Sequence, residues 1–196
     1  MADNDCRANL IAVATPLFAA KGLHGVSVRE LATASGVNLS MISYYFGGKE
    51  GLYAAVLTEQ FAILEKLSEI EQLDIDTLQK FERYIRATVG RYRKNPYLLR
   101  FYTSELTNPT ACFETIVKPA IKKVVLILLE TFSDGLSHEK FREGLYPTDT
   151  VLALAGMINF YFLLEPATAE LVEHTVERDE HLIRHIMDIF TRGVLK

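Results

Sequence analysis

Three metal-ligating side chains recur at one-turn spacing near the end of the chain. Glu177, His181 and His185 are each four residues apart, so on a helix they would share one face. Imidazole and carboxylate groups at this spacing can bind a divalent metal ion. The same pattern is more often a solvated helix face, and we therefore predict no metal site here.

The other reactive side chains do not form a recognisable catalytic motif. The sequence shows no glycine-rich phosphate loop, no nucleophile elbow and no Cys/His cluster. Its two cysteines, Cys6 and Cys112, form neither a CxxC pair nor a disulfide framework. We therefore predict a protein that is not an enzyme and that needs no cofactor.

Residues 36–53, GVNLSMISYYFGGKEGLY, concentrate apolar and aromatic side chains between glycines, with Lys49 as the one cation. Capping signals indicate the elements that must position this segment. Ser27 and Glu30 have the spacing of a capping box, which predicts a helix from Val28.

A second short helix is expected directly after the first. Gly36 is predicted to end the first helix in a left-handed conformation, which an ordinary side chain would resist. Asn38 is a favourable N-cap for a helix over residues 39–46. Gly47 and Gly48 should end that second helix.

These two helices have the offsets of a helix-turn-helix over residues 28–46. Ala32 supplies the small residue where the helices cross, and Gly36 supplies the flexible turn. The apolar residues that would lock the second helix onto the first are Leu31, Val37 and Ile42. The offsets favour DNA binding, with an ordinary helical hairpin as the alternative.

The run ATPLFAAKGLHGVSVRELATASGVNLSMISYYFGGKEGLYAAVL, residues 14–57, resembles the N-terminal domain of the TetR/AcrR family of bacterial transcriptional regulators. The matching motifs are LF…KG, VSVRELA, ASGV, YYF and GKEGL. The similarity covers about residues 4–64, and several linked motifs at the right spacing carry it. The remaining chain resembles the family in its all-helical architecture.

The resemblance implies that the second helix of the helix-turn-helix lies in the DNA major groove. The residues that would then face the bases are Asn38, Leu39, Ser40 and Met41. Those expected at phosphates are Ser43, Tyr44 and Lys49, and those expected at the DNA backbone are Ser27, Val28 and Arg29. Free amides at helix starts favour phosphate, and tyrosine and lysine side chains donate to phosphate oxygens. Tyr45 and Phe46 are expected in the core.

Leu39 and Met41 depart from the family, in which small or cationic residues are more usual at these positions. Apolar side chains cannot hydrogen-bond a base edge, but they can pack against thymine methyl groups. We therefore predict thymine at the contacted positions. The alternative is that both residues pack against a neighbouring helix, which would leave few base contacts.

The charge distribution gives little support to a nucleic-acid partner. The formal net charge is −4, and the cations and acids of residues 1–50 balance. Local charge and geometry matter more than the total. The neutral N-terminal region, together with Leu39 and Met41, motivates an alternative function: a helical small-molecule-binding or scaffolding protein that has lost specific DNA reading.

Helical periodicity continues through the rest of the chain. A long connecting helix is expected from Lys49 to Leu67, followed by helices near 77–94, 97–107, 112–133, 148–165 and 178–194. The prediction is an all-α fold with two domains. An N-terminal three-helix DNA-binding domain, residues 1–48, is joined by the long helix to a larger helical ligand-binding and dimerisation domain, residues 49–196.

DNA reading by one short helix per chain requires a homodimer and a palindromic site. Val151 to Leu164 is apolar all round, and residues 178–194 carry an apolar face. The family pairs two such helices with their symmetry mates in a four-helix bundle. This implies a dimer interface formed by Leu152, Ala155, Ile158, Ile183, Ile186, Met187 and Phe190. The alternative is that both helices complete the core of the protomer.

Regulators of this family usually carry a small-molecule pocket in the helical body. The candidate lining combines aromatic side chains with two polar residues on apolar faces: Phe101, Tyr102, Glu105, Phe113, Asn159 and Phe162. Buried polar groups need partners, and a ligand can be one. The alternative is that the aromatic residues fill the core and Glu105 pairs with an arginine such as Arg86, Arg91 or Arg100.

The start of the chain, MADNDCRANL, is polar and acidic, unlike a signal peptide. The apolar run 151–164 is short for a membrane span, so we predict a cytoplasmic protein without a membrane partner. The predicted function is a ligand-responsive transcriptional regulator. It is expected to be a repressor that binds a palindrome in double-stranded DNA as a dimer. A small hydrophobic or amphipathic effector of unknown identity would release it.

Overall fold

The computed structural model describes residues 2–62, 64, 67, 70, 73–172 and 175–196. Its helices are α1 (Ala2–Lys21), α2 (Val28–Ser35), α3 (Leu39–Phe46), α4 (Lys49–Ala62), α5 (Thr77–Lys94), α6 (Pro96–Thr107), a π-helical segment (Phe113–Val117), α7 (Lys118–Ser137), α8 (Pro147–Thr168) and α9 (Val176–Val194). Among the described residues, the β-type pairing is limited to an isolated bridge between Phe141 and Leu195. The predicted all-α fold is confirmed.

The connecting helix ends earlier than predicted. An α-helix is observed from Lys49 to Ala62, and Leu64 and Leu67 lie in 3₁₀ turns. The other residues of the predicted last turn, 63, 65 and 66, lie outside the described residues. A continuous α-helix to Leu67 is therefore wrong, because the tighter 3₁₀ geometry replaces the α-helical one near its end.

Pro166 lies inside α8, although the sequence predicts that the helix ends at residue 165. The structure continues α8 to Thr168. Proline removes one backbone donor and disfavours a helix interior. Only two residues of α8 follow Pro166, so the cost of the missing hydrogen bond falls on the last turn.

The chain folds into two compact units. The first contains Met1–Ile63 and Pro96–Ala120, and the second contains Leu64–Asn95 and Ile121–Lys196. The first unit therefore combines α1–α4 with α6 and the π-helical segment. The predicted division at residue 48 separates DNA binding from ligand binding, and that functional division stays a prediction.

Aromatic rings form the centre of the first unit. Phe18 of α1 and Tyr53 of α4 meet edge to face, with ring centroids 5.0 Å apart. Phe101 of α6 lies on the other side of Tyr53, at 6.1 Å between centroids. Leu31 and Ile42 are fully buried in the same unit, so α2 and α3 are fixed by their apolar faces while their other faces remain available.

A second aromatic cluster forms the centre of the other unit. Phe81 of α5 lies 4.9 Å from Phe190 of α9, and Phe141 stacks on Phe132 at 4.7 Å. Gly135 makes room for the Phe141 ring, because an added Cβ would lie 2.3 Å from a ring carbon. The α5 and α9 helices therefore belong to one packed core.

The start of α5 is held by a capping box formed by Asp76 and Gln79. Asp76 accepts from the amide of Leu78 at 2.8 Å, and Gln79 accepts from the amide of Asp76 at 3.0 Å. Lys140 also pairs with Asp76. The hydrogen bond from Lys140, followed by that from the Leu78 amide, holds the pKa of Asp76 below its usual value of 3.8.

We expect Asp76→Ala to lower the free energy of unfolding by about 1 kcal/mol at neutral pH. Because the folded state lowers the Asp76 pKa, its contribution is present above pH 3.8 and is lost as the pH falls through the lowered value. Urea denaturation at several pH values measures both effects. Asp76→Asn is the control, because it keeps the cap and should cost less. A pH-independent difference between the parent and Asp76→Ala would contradict this.

The α8 helix is unusually apolar for a helix that one protomer only partly covers. Val151, Leu154, Ile158 and Phe162 are buried, but Leu152, Phe160, Leu163 and Leu164 are exposed. By length and composition alone, this helix of 22 residues is able to cross a membrane. The apolar run 151–164 of the sequence is therefore shorter than the helix that contains it. Core helices of soluble proteins meet the same criterion.

Candidate nucleic-acid interface

The α2 helix begins at Val28, as predicted, and Ser27 is its N-cap. The Ser27 hydroxyl oxygen accepts a hydrogen bond from the amide of Glu30 at 3.1 Å. The Glu30 carboxylate, which a capping box would direct back to Ser27, pairs instead with Lys21 at 2.5 Å. This hydrogen bond lowers the pKa of Glu30. The amides of Val28 and Arg29 precede the capped amide at the helix start, where backbone donors can bind phosphate.

The turn of the helix-turn-helix has the predicted left-handed glycine. Gly36 has φ 68° and ψ 19°. The amide of Val37 then reaches the carbonyl of Ala32 at 3.2 Å. Leu31 and Ala32 are buried directly before this turn. The backbone conformation and the packed crossing together set the direction of α3.

The α3 helix presents one buried and one open face. Asn38 caps it, with Oδ1 accepting from both the amide and the hydroxyl of Ser40 at 3.1 Å. Ile42 is fully buried, whereas Leu39 is 43% exposed and Tyr44 is 74% exposed. The exposed face therefore carries apolar, hydroxyl and phenol groups on a rigidly capped helix.

The junction between α3 and α4 is unusually close. Gly47 ends α3 in a left-handed conformation with φ 72°. A Cβ atom at Gly51 would lie 1.8 Å from the carbonyl oxygen of Phe46. Lys49 donates to the carbonyl of Val26 at 3.0 Å, so its ammonium group lies close to the start of α2.

The predicted DNA-binding residues lie at the start of α2, along α3 and at the start of α4. The exposed ones are Ser27, Arg29, Asn38, Leu39, Ser40, Ser43 and Tyr44, and the half-buried ones are Val28, Met41 and Lys49. All belong to the first unit. Their contacts with DNA stay a prediction.

Leu39 and Met41 differ in how far the protein covers them. Exposed Leu39 does not fit the alternative that both residues pack against a neighbouring helix, whereas Met41 is half-buried. Tyr45 and Phe46, expected in the core, are also half-buried, with ring centroids 6.3 Å apart. Arg7 lies over the Phe46 ring at 5.2 Å from its centroid.

Few cationic side chains of this region remain available to bind DNA phosphates. Lys21 is paired with Glu30, and Arg7 stacks on Phe46. Arg29 is exposed at the start of α2, and Lys49 is half-buried nearby. Any DNA contact of this surface must therefore depend on neutral donors and backbone amides as much as on positive charge.

The family model described as bacterial regulatory proteins, tetR family, matches residues 10–56. This range includes the cap at Ser27, the left-handed turn at Gly36, all of α3 and the close junction at Gly51. The chain belongs to the TetR family of bacterial regulatory proteins.

Two relatives of this TetR-family chain carry the names of transcriptional regulators. A protein named "Probable HTH-type transcriptional regulator YttP", from Bacillus subtilis, is 32% identical over 139 residues, which are 69% of this chain and 66% of that protein. The chain thus spans just under two thirds of YttP. The HTH-type transcriptional repressor NicS of Pseudomonas putida is 24% identical over 158 residues, with 79% of this chain and 74% of NicS covered.

A solved structure shows the same fold over nearly the whole chain. The transcriptional regulator FadR from Bacillus subtilis, in complex with stearoyl-CoA, superimposes with a TM-score of 0.76. The match covers 95% of this chain and 98% of FadR at 18% sequence identity. At this identity the likeness establishes the fold alone.

Glu105, predicted to line a ligand pocket, already has protein partners. It is fully buried and accepts from the Tyr53 hydroxyl at 2.7 Å. The hydroxyl and the amide of Thr110 also donate to it, at 3.0 Å and 3.2 Å. Burial and the hydrogen bond to Glu105 raise the pKa of Tyr53. Tyr53 therefore takes the place of the expected arginine partner.

The other predicted pocket residues also have contacts within their own units. Phe101 is buried, and Tyr102 and Phe113 are half-buried in the first unit. In the second unit, Tyr92 donates to Asn159 at 2.7 Å, and Arg93 lies 4.7 Å from the Phe162 ring centroid. Because Glu105 and Asn159 already accept hydrogen bonds from protein groups, their polarity no longer indicates a ligand, and the pocket stays a prediction.

The predicted dimer residues divide by burial. Ile158, Ile183, Ile186 and Phe190 are buried inside the second unit, whereas Ala155 and Met187 are half-buried and Leu152 is exposed. The protomer itself covers the four buried residues, because apolar character alone does not show which face of a helix packs inside the unit. The dimer interface stays a prediction. The apolar residues that a partner can reach on α8 are Leu152, Phe160, Leu163 and Leu164.

The His181 and His185 rings stack on the surface of α9, with centroids 6.2 Å apart. Glu177 is also exposed on this helix. In the described part of the chain, no group of three or more histidine, cysteine or carboxylate side chains is arranged to hold a metal ion.

Proposed function

We propose that this protein is a DNA-binding transcriptional regulator that uses α3 to read a palindromic operator as a homodimer. The observation that carries the proposal is the capped, half-exposed α3 helix. Its inner side is fixed by buried Ile42, while Leu39 and Tyr44 stay exposed. Such a helix presents side chains to a major groove.

The contacts of each side chain follow from its geometry. Asn38 uses Oδ1 to cap α3, so its NH₂ group is the part available to a base. Leu39 and Met41 offer apolar contacts to thymine methyl groups. Ser43, Tyr44 and Lys49 donate to phosphates. The start of α2, with Ser27, Val28 and Arg29, also binds phosphate.

The apolar face of α8 supports dimerisation. Leu152, Phe160, Leu163 and Leu164 are exposed along this helix, and a symmetry mate would cover them. A two-fold symmetric dimer then places two α3 helices on two half-sites, as palindromic operators require.

The proposed regulation is repression relieved by a small amphipathic effector. NicS is named a repressor, and the FadR structure contains stearoyl-CoA. In the proposed mechanism the effector shifts α4 and changes the spacing of the two α3 helices. This requires different effector affinities with and without DNA.

Selection of bound sequences from random duplex DNA at two salt concentrations tests the DNA-reading function. We expect a palindrome with thymines in each half-site. Two cations per protomer, Arg29 and Lys49, predict a slope of log affinity against log salt concentration of roughly −4 for the dimer. Arg29→Gln should make this slope shallower by about 2, since each protomer loses one phosphate contact.

Lys123→Gln is the matched control, because Lys123 is an exposed cation of the second unit and should leave the slope unchanged. Binding without sequence preference would contradict the operator-reading function. The absence of salt-dependent binding would instead favour a small-molecule-binding or scaffolding protein.

A further inference from the structure

Two buried polar atoms of α5 have no hydrogen-bond partner within the part of the chain that the structure describes. They are Thr88 Oγ1 and Arg91 Nη1, and their residues are only 5% and 8% exposed. Positions three residues apart share one face of a helix. Leaving such groups unpaired is costly, most of all for a charged one. Among the described residues these groups have no partner, and a bound ligand can supply one.

The other arginines of α5 show how unusual Arg91 is. Arg86 and Arg93 each pair with two acidic side chains. These acidic partners are Glu82, Glu180, Glu165 and Asp179. Arg91 is more buried than either, yet among the described residues it has no acidic partner. Burial lowers the pKa of the Arg91 guanidinium, although arginine stays protonated in proteins.

Arg91 lines an open groove of about 430 Å³ in the second unit. This volume is in the range of small-molecule sites. The other lining residues are Leu67, Ile70, Leu73, Arg83, Arg86 and Ala87. Arg83 is exposed and adds a further cation to the groove. The groove thus joins a cationic part to an apolar part.

We propose that this groove binds an anionic amphiphile, with the anionic head group on Arg91 and the apolar chain along Leu73 and Ala87. The guanidinium group matches the oxygens of a carboxylate or a phosphate. The ligand thereby gives Arg91 Nη1 the partner that it lacks among the described residues.

This inference deepens the proposed function, on which it rests, by naming the chemical class of the effector. Two sources share the required chemistry: the carboxylate of a free fatty acid, and the phosphates of an acyl-CoA thioester. Both combine negative oxygens with an apolar chain, and a neutral alcohol of the same chain length lacks the charge.

Calorimetric titration of the full chain with decanoate, decanoyl-CoA and decanol, without DNA, tests the site directly. We expect at least one of the two anions to bind about tenfold or more tightly than decanol, because only an anion forms a charged hydrogen bond with Arg91. Tighter binding of decanoate identifies the carboxylate as the head group, and tighter binding of decanoyl-CoA identifies the phosphates. Either result supports the site.

Arg91→Met keeps the long apolar stem but removes the charge. We expect it to weaken anion binding about tenfold to a hundredfold and to leave decanol binding unchanged. The free variant should melt at the same or a higher temperature than the parent, because it loses an unpaired buried charge. If Arg91 only stabilised the fold, the Arg91→Met variant would melt at a lower temperature than the parent. Arg100→Met, an exposed arginine of the first unit, should bind like the parent.

Equal affinities for decanol and both anions, or unchanged anion affinity in Arg91→Met, would overturn the anion site. Failure of both anions to bind would also overturn it. DNA binding of the same samples, followed by fluorescence anisotropy, tests the regulatory function separately. Arg91-dependent anion binding that leaves DNA affinity unchanged would support the site while contradicting effector-controlled DNA release.

Discussion

Replacing Gly51 with alanine is expected to lower the free energy of unfolding by about 3 kcal/mol. An added Cβ atom would lie 1.8 Å from the carbonyl oxygen of Phe46 and 2.9 Å from its carbonyl carbon. Backbone atoms cannot swing aside as a flexible side chain can. Because Phe46 is the last residue of α3, the start of α4 and the end of α3 must move apart.

The same substitution should weaken DNA binding by roughly tenfold or more, equivalent to about 1.4 kcal/mol. The displaced α3 carries Leu39 and Tyr44, and Lys49 lies at the start of α4. Urea denaturation measures the stability, and anisotropy titration on the selected operator measures the affinity, at a temperature where both proteins are folded.

Gly90→Ala is the matched control for Gly51→Ala. Gly90 lies within α5, and an added Cβ atom would meet no other atom within 4 Å. There alanine should raise the free energy of unfolding by about 0.5–1 kcal/mol, since it favours the helix. If both variants behaved alike, the close α3–α4 junction would not be a constraint on this fold.

Local signals predicted the start of the chain well because the contacts that form it are short-range. Ser27 and Asn38 cap helices through bonds to residues two or three positions away. Gly36 needs only its own backbone conformation to end α2. Such contacts follow from the residue type and its immediate neighbours, so the sequence shows them directly.

Long-range pairing could not be predicted in the same way. Tyr53 donates a hydrogen bond to Glu105, which lies 52 positions away in the sequence. An amphipathic pattern does not show which two side chains will form such a bond. The apolar α8 helix shows the same problem. Its composition predicted burial, but the fold decided that Ile158 faces the protomer core while Leu152 stays exposed.

The candidate effector site illustrates a third difficulty. In the sequence, Arg91 is one of several arginines that could pair with Glu105. Only the fold shows that Arg86 and Arg93 have acidic partners while Arg91 is buried without one in the described chain. A missing partner is a property of the assembled structure, and no spacing in the sequence encodes it.

Glu105→Leu is expected to lower the free energy of unfolding by about 3–5 kcal/mol, because it removes the acceptor from a buried hydrogen-bond network. The Tyr53 hydroxyl and two donors of Thr110 converge on this side chain. Leucine fills a similar volume, so the loss reflects the unpaired donors rather than a cavity. Thermal and urea denaturation of both proteins measure the difference.

Glu105→Gln distinguishes hydrogen bonding from packing at this position. Its amide oxygen still accepts a bond, and its NH₂ group can donate to the hydroxyl oxygen of Thr110 or Tyr53. We therefore expect it to cost about 1–2 kcal/mol, well below the leucine variant. Tyr53→Phe should cost a similar amount, and combining it with Glu105→Leu should add little, because the orphaned phenol is then gone. Additive effects of these two changes would show that Tyr53 and Glu105 stabilise the first unit independently, contrary to the bond between α4 and α6 seen here.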